Sequence, residues 1–222
     1  MTTELLFIHI PKTGGISFLH SLGGAYGKCQ EIWDFIPGHS EVLHQPESQF
    51  YWNHYWYRTQ IRKAEDEASK YRVVYGHIPV WVFDGPMYFA PKVVWLRNPV
   101  DQILSRVFHF RKENLNGAQH YAPEDIVRWP AFQNNQFFYT GGDLSLFSYV
   151  GIVEHYDACH REIAEMFEWP DTVQPVHTHV TDWEPEMRQS LRENAAFCAE
   201  LERMNAIDVA LYNYALGMKG WT

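Results

Sequence analysis

The sequence predicts an α/β fold: a central parallel β-sheet flanked by helices, followed by a helical C-terminal third. Two observations carry this prediction. Three short apolar runs, Leu5 to Ile10, Arg72 to Tyr75 and Val93 to Leu96, are bounded by turn residues and rich in β-branched or aromatic side chains, as buried parallel strands are. Two of them pass through a turn straight into a helical pattern, and repeated strand–turn–helix units indicate parallel strands. The 222 residues hold no internal repeat, low-complexity tract or Ser/Gly linker, so a single domain over residues 1–222 is expected.

The first run enters Pro11-Lys12-Thr13-Gly14-Gly15 and then a helix from Ile16 to Leu22. The stretch from Trp33 to Tyr57 is rich in His and aromatics without a clean period, and reads as irregular chain, a candidate substrate-covering loop. The third run enters Arg97-Asn98-Pro99, where Asn98 suits an N-cap and Pro99 the first helical position. Ile103, Leu104, Val107 and Phe108 then recur at helical spacing. Further on, His155 to Phe167 places Cys159, Ile163, Met166 and Phe167 on one helical face. Thr181-Asp182-Trp183-Glu184 reads as a capping box with Pro185 just inside the next helix. Met187, Leu191, Leu201 and Met204 extend that helix as one long amphipathic element.

Composition removes several classes. Nine Trp, fourteen Phe and thirteen Tyr exclude intrinsic disorder. No apolar run approaches the roughly 20 residues that span a bilayer. Leu5-Leu6-Phe7-Ile8 runs directly into polar residues, unlike a signal peptide. The three cysteines, Cys29, Cys159 and Cys198, have no paired short spacing, so they read as reduced thiols of a cytoplasmic protein. A net charge of −9 argues against a general nucleic-acid binder, while eighteen Lys and Arg still suffice for one local anion pocket.

Two motifs can carry chemistry. In His9-Ile10-Pro11-Lys12-Thr13-Gly14-Gly15-Ile16-Ser17 a strand ends, two glycines permit a tight turn, and a helix opens. Such a turn presents backbone N–H groups and a helix N-terminus to an anion. Lys12 adds a cation, and Thr13 and Ser17 add hydroxyl donors. An ordinary turn with a surface lysine has the same pattern. A Walker A loop does not, because there the lysine follows the glycines as G-x-x-x-x-G-K-[ST]. The strand Val93 to Leu96 also ends in Arg97, where a nucleotide hydrolase would often carry a magnesium-binding Asp. An arginine at the C-terminal end of a parallel strand meets the crevice where such sheets bind ligands, and its planar fork suits a phosphate. Ser105 lies two helical turns on and can offer its hydroxyl to the same group. On spacing alone, a structural salt bridge for Arg97 fits equally well.

Together the two motifs resemble the sulfotransferases that use phosphoadenosine phosphosulfate (PAPS) as donor. Pro11-Lys12-Thr13-Gly14-Gly15-Ile16-Ser17 is similar to their 5′-phosphosulfate loop. Leu96-Arg97-Asn98-Pro99 with Ser105-Arg106 is similar to their 3′-phosphate motif. The version here is closest to the carbohydrate branch, the heparan-sulfate 2-O-type enzymes and their bacterial relatives. Tyr75-Gly76-His77 resembles the strand-end Gly-His of that branch, and Val150-Gly151-Ile152-Val153-Glu154 its V-G-x-x-E step. Asn134-Asn135-Gln136 through Gly141 resembles N-x-Q-x-x-x-L-x-G without the leucine, and Asp208-Val209-Ala210-Leu211-Tyr212 resembles the closing D-x-x-L-Y.

The resemblance implies a P-loop-like sulfotransferase architecture and sulfuryl transfer from PAPS to a hydroxyl or amine of a small-molecule or glycan acceptor, without metal. Lys12 would neutralise charge on the bridging oxygen. Thr13, Gly14, Gly15, Ile16 and Ser17 would hold the phosphosulfate, and Arg97 and Ser105 the 3′-phosphate. His77 matches the branch's catalytic base, and an imidazole near pKa 6.5 suits that role; a histidine bonded into the core is the other reading. His9 could orient Lys12 or be simply packed. His177 and His179 lack a third ligand at metal spacing and read as exposed. His39, His44 and His54, with Trp33, Trp52, Trp56 and Trp81, could line an acceptor pocket or be core, and Glu65-Asp66-Glu67 reads as a solvated helix face. Golgi members of the family carry a membrane anchor; with Met1 as the natural start there is no room for one, so a cytoplasmic enzyme is expected, with no membrane or nucleic-acid partner. The rivals are a magnesium-dependent small-molecule kinase and a non-catalytic nucleotide-binding module.

Overall fold

The computed structural model describes residues 3–27, 30–31, 72–83, 88–178 and 183–221. The expected loop from Trp33 to Tyr57, the acidic run at Glu65, Cys29, His179 and the first half of the expected capping box lie outside these residues.

The chain builds a parallel sheet from β1 (Leu5–Ile8), β3 (Val73–Gly76), β4 (Lys92–Leu96) and β5 (Tyr149–Ile152), with the two-residue β2 (Gln30–Glu31) at one edge. The order is β2-β3-β1-β4-β5, and every neighbouring pair is parallel. All four residues of β1 are fully buried, as a central strand covered on both faces requires. The three expected strands are present with shifted ends. β1 stops at Ile8, and β3 begins after Arg72, whose guanidinium pairs with Glu4 at 2.7 Å. β5, read above only as a motif, is the fourth long strand.

Helices α1 (Gly15–Tyr26), α2 (Pro99–Lys112), α3 (Pro123–Ile126), α4 (Asn135–Thr140) and α5 (Tyr156–Met166) follow in chain order. α2 starts as its sequence dictates. The Asn98 side chain accepts from the N–H groups of Val100 at 3.0 Å and Asp101 at 3.3 Å, and Pro99 takes the first helical position. Its apolar stripe, Ile103, Leu104, Val107 and Phe108, is buried throughout. On α5, Cys159 and Ile163 are buried as expected, but Met166 is 54% exposed because the helix ends there and turns its last residue outward.

The C-terminal helix is not continuous. It is three helices: α6 (Pro185–Glu193), α7 (Ala195–Met204) and α8 (Ala206–Lys219). Asn194 breaks it, adopting extended backbone and accepting from the Phe197 N–H at 3.1 Å, so the residue stops one helix and caps the next. Glu184 corrects the expected capping box. It occupies the N-cap position of α6, not the third helical position, and its carboxylate reaches Arg111.

Two apolar cores result. One spans both sheet faces and gathers α1, α5 and α8, with Phe7, Phe18 and Trp95 at its centre. The other joins α2 to α7, with Val107, Phe108 and Leu201 fully buried in it. Among the described residues no helix is long and apolar enough to cross a membrane.

Candidate anion site at the strand ends

Parallel register sets the site. Ile8 is level with Gly76, so the next residues, His9 and His77, leave neighbouring strands side by side with ring centroids 4.2 Å apart. Arg97 leaves β4 on the other side of β1. All three therefore stand at the carboxyl ends of the strands, where open α/β sheets bind ligands.

The turn from β1 into α1 is strained and tightly packed. Lys12 has φ +66° and Gly14 has φ +72°. The left-handed region costs a lysine about 1 kcal/mol, whereas glycine enters it freely. Gly15 is required for a different reason: a Cβ there would lie 1.8 Å from His9 Nε2. The His9 imidazole, stacked on Phe7 and tilted against His77, thus fills the space beneath the turn. The Thr13 hydroxyl donates to Ile10 O at 2.9 Å, so its proton ties the turn together and is not presented to a ligand as the sequence reading expected. Ser17 is likewise engaged: its oxygen accepts from the Thr178 N–H at 3.0 Å. Ile16 is exposed at the start of α1.

The turn from β4 into α2 is held from behind. Gln136 is fully buried and pairs with both main-chain groups of Arg97, accepting from its N–H at 3.0 Å and donating to its carbonyl at 2.8 Å. Asp208 in turn accepts from the N–H groups of Gln136 at 2.9 Å and Phe137 at 2.7 Å. Burial pushes its carboxyl up to about 6, against the pull of those N–H groups. Glu154 accepts from the Asn98 N–H at 2.8 Å and from the Tyr212 hydroxyl at 3.0 Å. The two turns are then braced to each other. Arg97 Nη1 donates to Lys12 O at 3.1 Å, and Gln102 Nε2 donates to Pro11 O at 2.9 Å.

Lys12 and Arg97 are both half-buried, and neither makes an ion pair among the described residues. Burial, then Arg97, Arg188 and Lys112, bring the Lys12 ammonium down to about 8, outweighing the one nearby carboxylate, Glu113. Burial also lowers Arg97, with Asp101 and Glu154 opposing and Arg188 adding. His109 is lowered by burial and by Lys12. Glu113, Asp101 and Glu154 act on these cations from nearby, but among the described residues none closes an ion pair with Lys12 or Arg97, an arrangement that can take an anion.

His9 is held at about 4 by burial and by Lys12, and is neutral at pH 7. His77 Nδ1 contacts the His9 carbonyl. A carbonyl only accepts, so Nδ1 carries the proton and Nε2 the basic lone pair. That is the tautomer a general base needs.

Sequence reasoning placed Lys12, His77 and Arg97 together at this edge. Ser105 is buried one helical turn beyond Gln102, on the α2 face that meets the first turn. Arg106, grouped with it by motif, points elsewhere. It is 3% exposed, donates to Ala131 O at 2.5 Å and to Asn135 Oδ1, and lies 4.8 Å over the Phe132 ring. Trp81 donates to Phe138 O at 3.0 Å and packs edge-on against that ring. Exposed His177 pairs with Asp157 at 2.8 Å, and among the described residues no group of His, Cys, Asp or Glu is arranged to hold a metal ion. The reading missed Arg188, Lys112 and His109, and it quoted Gln136 and Asp208 in motifs without giving either a role. Helical spacing from Gln102 and Ser105 marks His109 and Lys112, but nothing local marks Arg188.

Comparison with protein-family models matches no family, and comparison with curated proteins matches no relative.

Proposed function

We propose that the protein is a sulfotransferase, moving the sulfuryl group of PAPS to a hydroxyl or amine of a carbohydrate or small-molecule acceptor. The observation that carries this reading is the braced pair of turns, in which Lys12 and Arg97 are half-buried, in contact, and without an ion-pair partner among the described residues. The strand order, with β1 between β3 and β4 and a glycine turn leading into α1, supports a P-loop-like architecture. A donor of this class brings two separate anionic groups, and the site offers one cation at each turn.

When bound, the donor supplies a sulfuryl group on a phosphate leaving group. His77 Nε2 takes the proton from the acceptor hydroxyl as its oxygen bonds to sulfur. Lys12 neutralises the charge left on the phosphate oxygen as the sulfur–oxygen bond to it breaks. Main-chain N–H groups of the turn hold the surrounding oxygens, and Arg97 with Ser105 holds the 3′-phosphate that ATP lacks. The buried thiols Cys159 and Cys198 fit a cytoplasmic location, where such a donor is made.

The test is calorimetric titration with adenosine 3′,5′-bisphosphate in EDTA, against ATP with and without magnesium. Binding of the bisphosphate without metal, unmatched by ATP and lost in Arg97→Ala, is the expected result. Preference for ATP with magnesium would return the protein to the kinases.

A further inference from the structure

We propose that the outer face of α8 is a self-association surface, on which a second copy of this chain lays its own α8 antiparallel about a two-fold axis. The inner face of α8 buries Asp208, Leu211, Tyr212 and Ala215. Its outer face exposes Ala206, Ile207, Ala210, Asn213, Tyr214, Gly217 and Met218, none of them charged. Ile207 is 48% exposed, Tyr214 63% and Met218 56%. Met166 of α5, at 54%, lines one groove with Met218. At these exposures the four large side chains bare roughly 500 Å² and their small neighbours about 200 Å² more, close to the roughly 800 Å² per partner of a specific interface. An exposed apolar patch of that extent marks an interaction site.

The order of large and small residues identifies the partner. In an antiparallel pair centred at the level of Tyr212, residues equally far before and after that point stand opposite each other. Met218 then meets Ala206, Ile207 meets Gly217, and Tyr214 meets Ala210. Each large side chain faces a small one, and the two-fold axis repeats every contact. Asn213 lies beside the axis, where its amide, donor and acceptor at once, can pair with its own copy. Gly217 is an independent observation. Its backbone is not left-handed, and a Cβ there would have nothing within 4 Å. Glycine inside a helix destabilises it relative to alanine, so nothing within the chain favours the missing side chain. The close approach of the second copy's Ile207 does. Charge points the same way. A chain of net charge −9 repels its copy, so two copies meet best on an uncharged face. The charges of α8 itself are withdrawn: Asp208 is buried against the N–H groups of Gln136 and Phe137, and Lys219 is tied to Glu162. Exposed Glu165, which lines the groove with Met218, comes toward the positive N-terminal end of the second copy's α8.

The experiment is sedimentation equilibrium across the micromolar range on wild type, Ala210→Glu, Tyr214→Lys and Gly217→Leu, with circular dichroism to verify the fold. Wild type should form a dimer. Each substitution, at an exposed position, should leave the helix content unchanged and raise the dimer dissociation constant at least about tenfold, by burying an unpaired charge or filling the space that receives Ile207. An equimolar mixture of Ala210→Glu and Tyr214→Lys should recover the dimer, because the introduced charges then stand level and opposite in sign. A wild type that stays monomeric throughout, or a dimer that all three variants keep, would overturn the proposal. Single variants that dissociate and a mixture that fails to recover would overturn the antiparallel register.

Discussion

Arg97 and Arg106 bracket one short stretch of chain, and the fold uses them in opposite ways. Arg106 gives its side chain to the structure: buried, it bonds Ala131 and Asn135 and lies over Phe132, with burial bringing it down to about 10. For Arg97 the structure holds the main chain, through the oxygen and the nitrogen of the Gln136 side-chain amide, and leaves the guanidinium, among the described residues, with one bond to Lys12 O. The histidines repeat the contrast. His9 is buried between Phe7, Gly15 and His77, while His77 is oriented through the His9 carbonyl and keeps Nε2 basic. A residue held by its main chain, as Arg97 is, has its side chain arranged to meet something else.

The sharpest separation should come from His77. His77→Ala is expected to lower turnover by about 10²- to 10⁴-fold, the usual contribution of a general base. Release of adenosine 3′,5′-bisphosphate from the donor, with an acceptor found by screening, reads this out. Nucleotide affinity and thermal midpoint should stay near wild type. Near-normal turnover would remove His77 from the chemistry.

Arg106→Ala and Arg97→Ala should then fail differently. The first leaves buried Asn135 Oδ1 without its charged donor, while Ala131 O keeps the Asn135 Nδ2 donor, and opens a cavity beside Phe132; it is expected to cost about 3 kcal/mol of stability. Thermal denaturation should show a midpoint lower by roughly 6–12 °C for a chain of this size. The second should weaken adenosine 3′,5′-bisphosphate about 10- to 100-fold with a midpoint within about 2 °C of wild type. If Arg97→Ala were the destabilised one, the contrast would be reversed. Gly15→Ala tests the layer between them: its Cβ would strike the buried His9 ring. A lower midpoint together with weaker nucleotide binding is expected, because His9 supports both the turn and His77.

How much of this was legible in the sequence follows the range of the interactions. Asn98 and Pro99 cap α2 within three residues of themselves, and the strand runs declare themselves by burial on both faces, so both were readable. Lys12, His77 and Arg97 were readable because each directly follows a strand, and parallel strands place such residues at one edge. Asn194 was missed because apolar spacing continues across it, although its side chain caps the next helix. Arg106, quoted with Ser105 in one motif, points elsewhere because sequence adjacency does not fix direction: on a helix, neighbours point about 100° apart. Thr13 has the right type, but its hydroxyl is bonded to Ile10 O, three residues away. Gln136 and Asp208 stood out as motif residues, but what they hold lies 39 and 72 residues away in sequence, and no local pattern encodes such partners.

The smallest expected effect is also the one that distinguishes Lys12 from its arginine neighbours. The Lys12 ammonium is held near 8 by burial and by Arg97, Arg188 and Lys112, so at pH 7 it is mostly charged and above pH 8 mostly neutral. An anion favours the charged form, so binding raises the pKa of Lys12 and takes up a proton wherever the unliganded amine is neutral. Affinity for adenosine 3′,5′-bisphosphate should therefore be nearly full at pH 7 and about twofold weaker at pH 8. It should fall as pH rises through about 8, by at most tenfold per unit. The phosphates are already dianionic in this range, since their second ionisation lies near pH 6, and arginine stays charged throughout, so neither produces the fall. Lys12→Ala should bind more weakly at pH 7 and show a flat profile from 7 to 9.5. A wild-type profile equally flat to pH 9.5 would place Lys12 outside the field of the bound anion. Arg97 would then be the principal cation, and the crowding of positive charge around Lys12 would belong to the fold instead of the ligand.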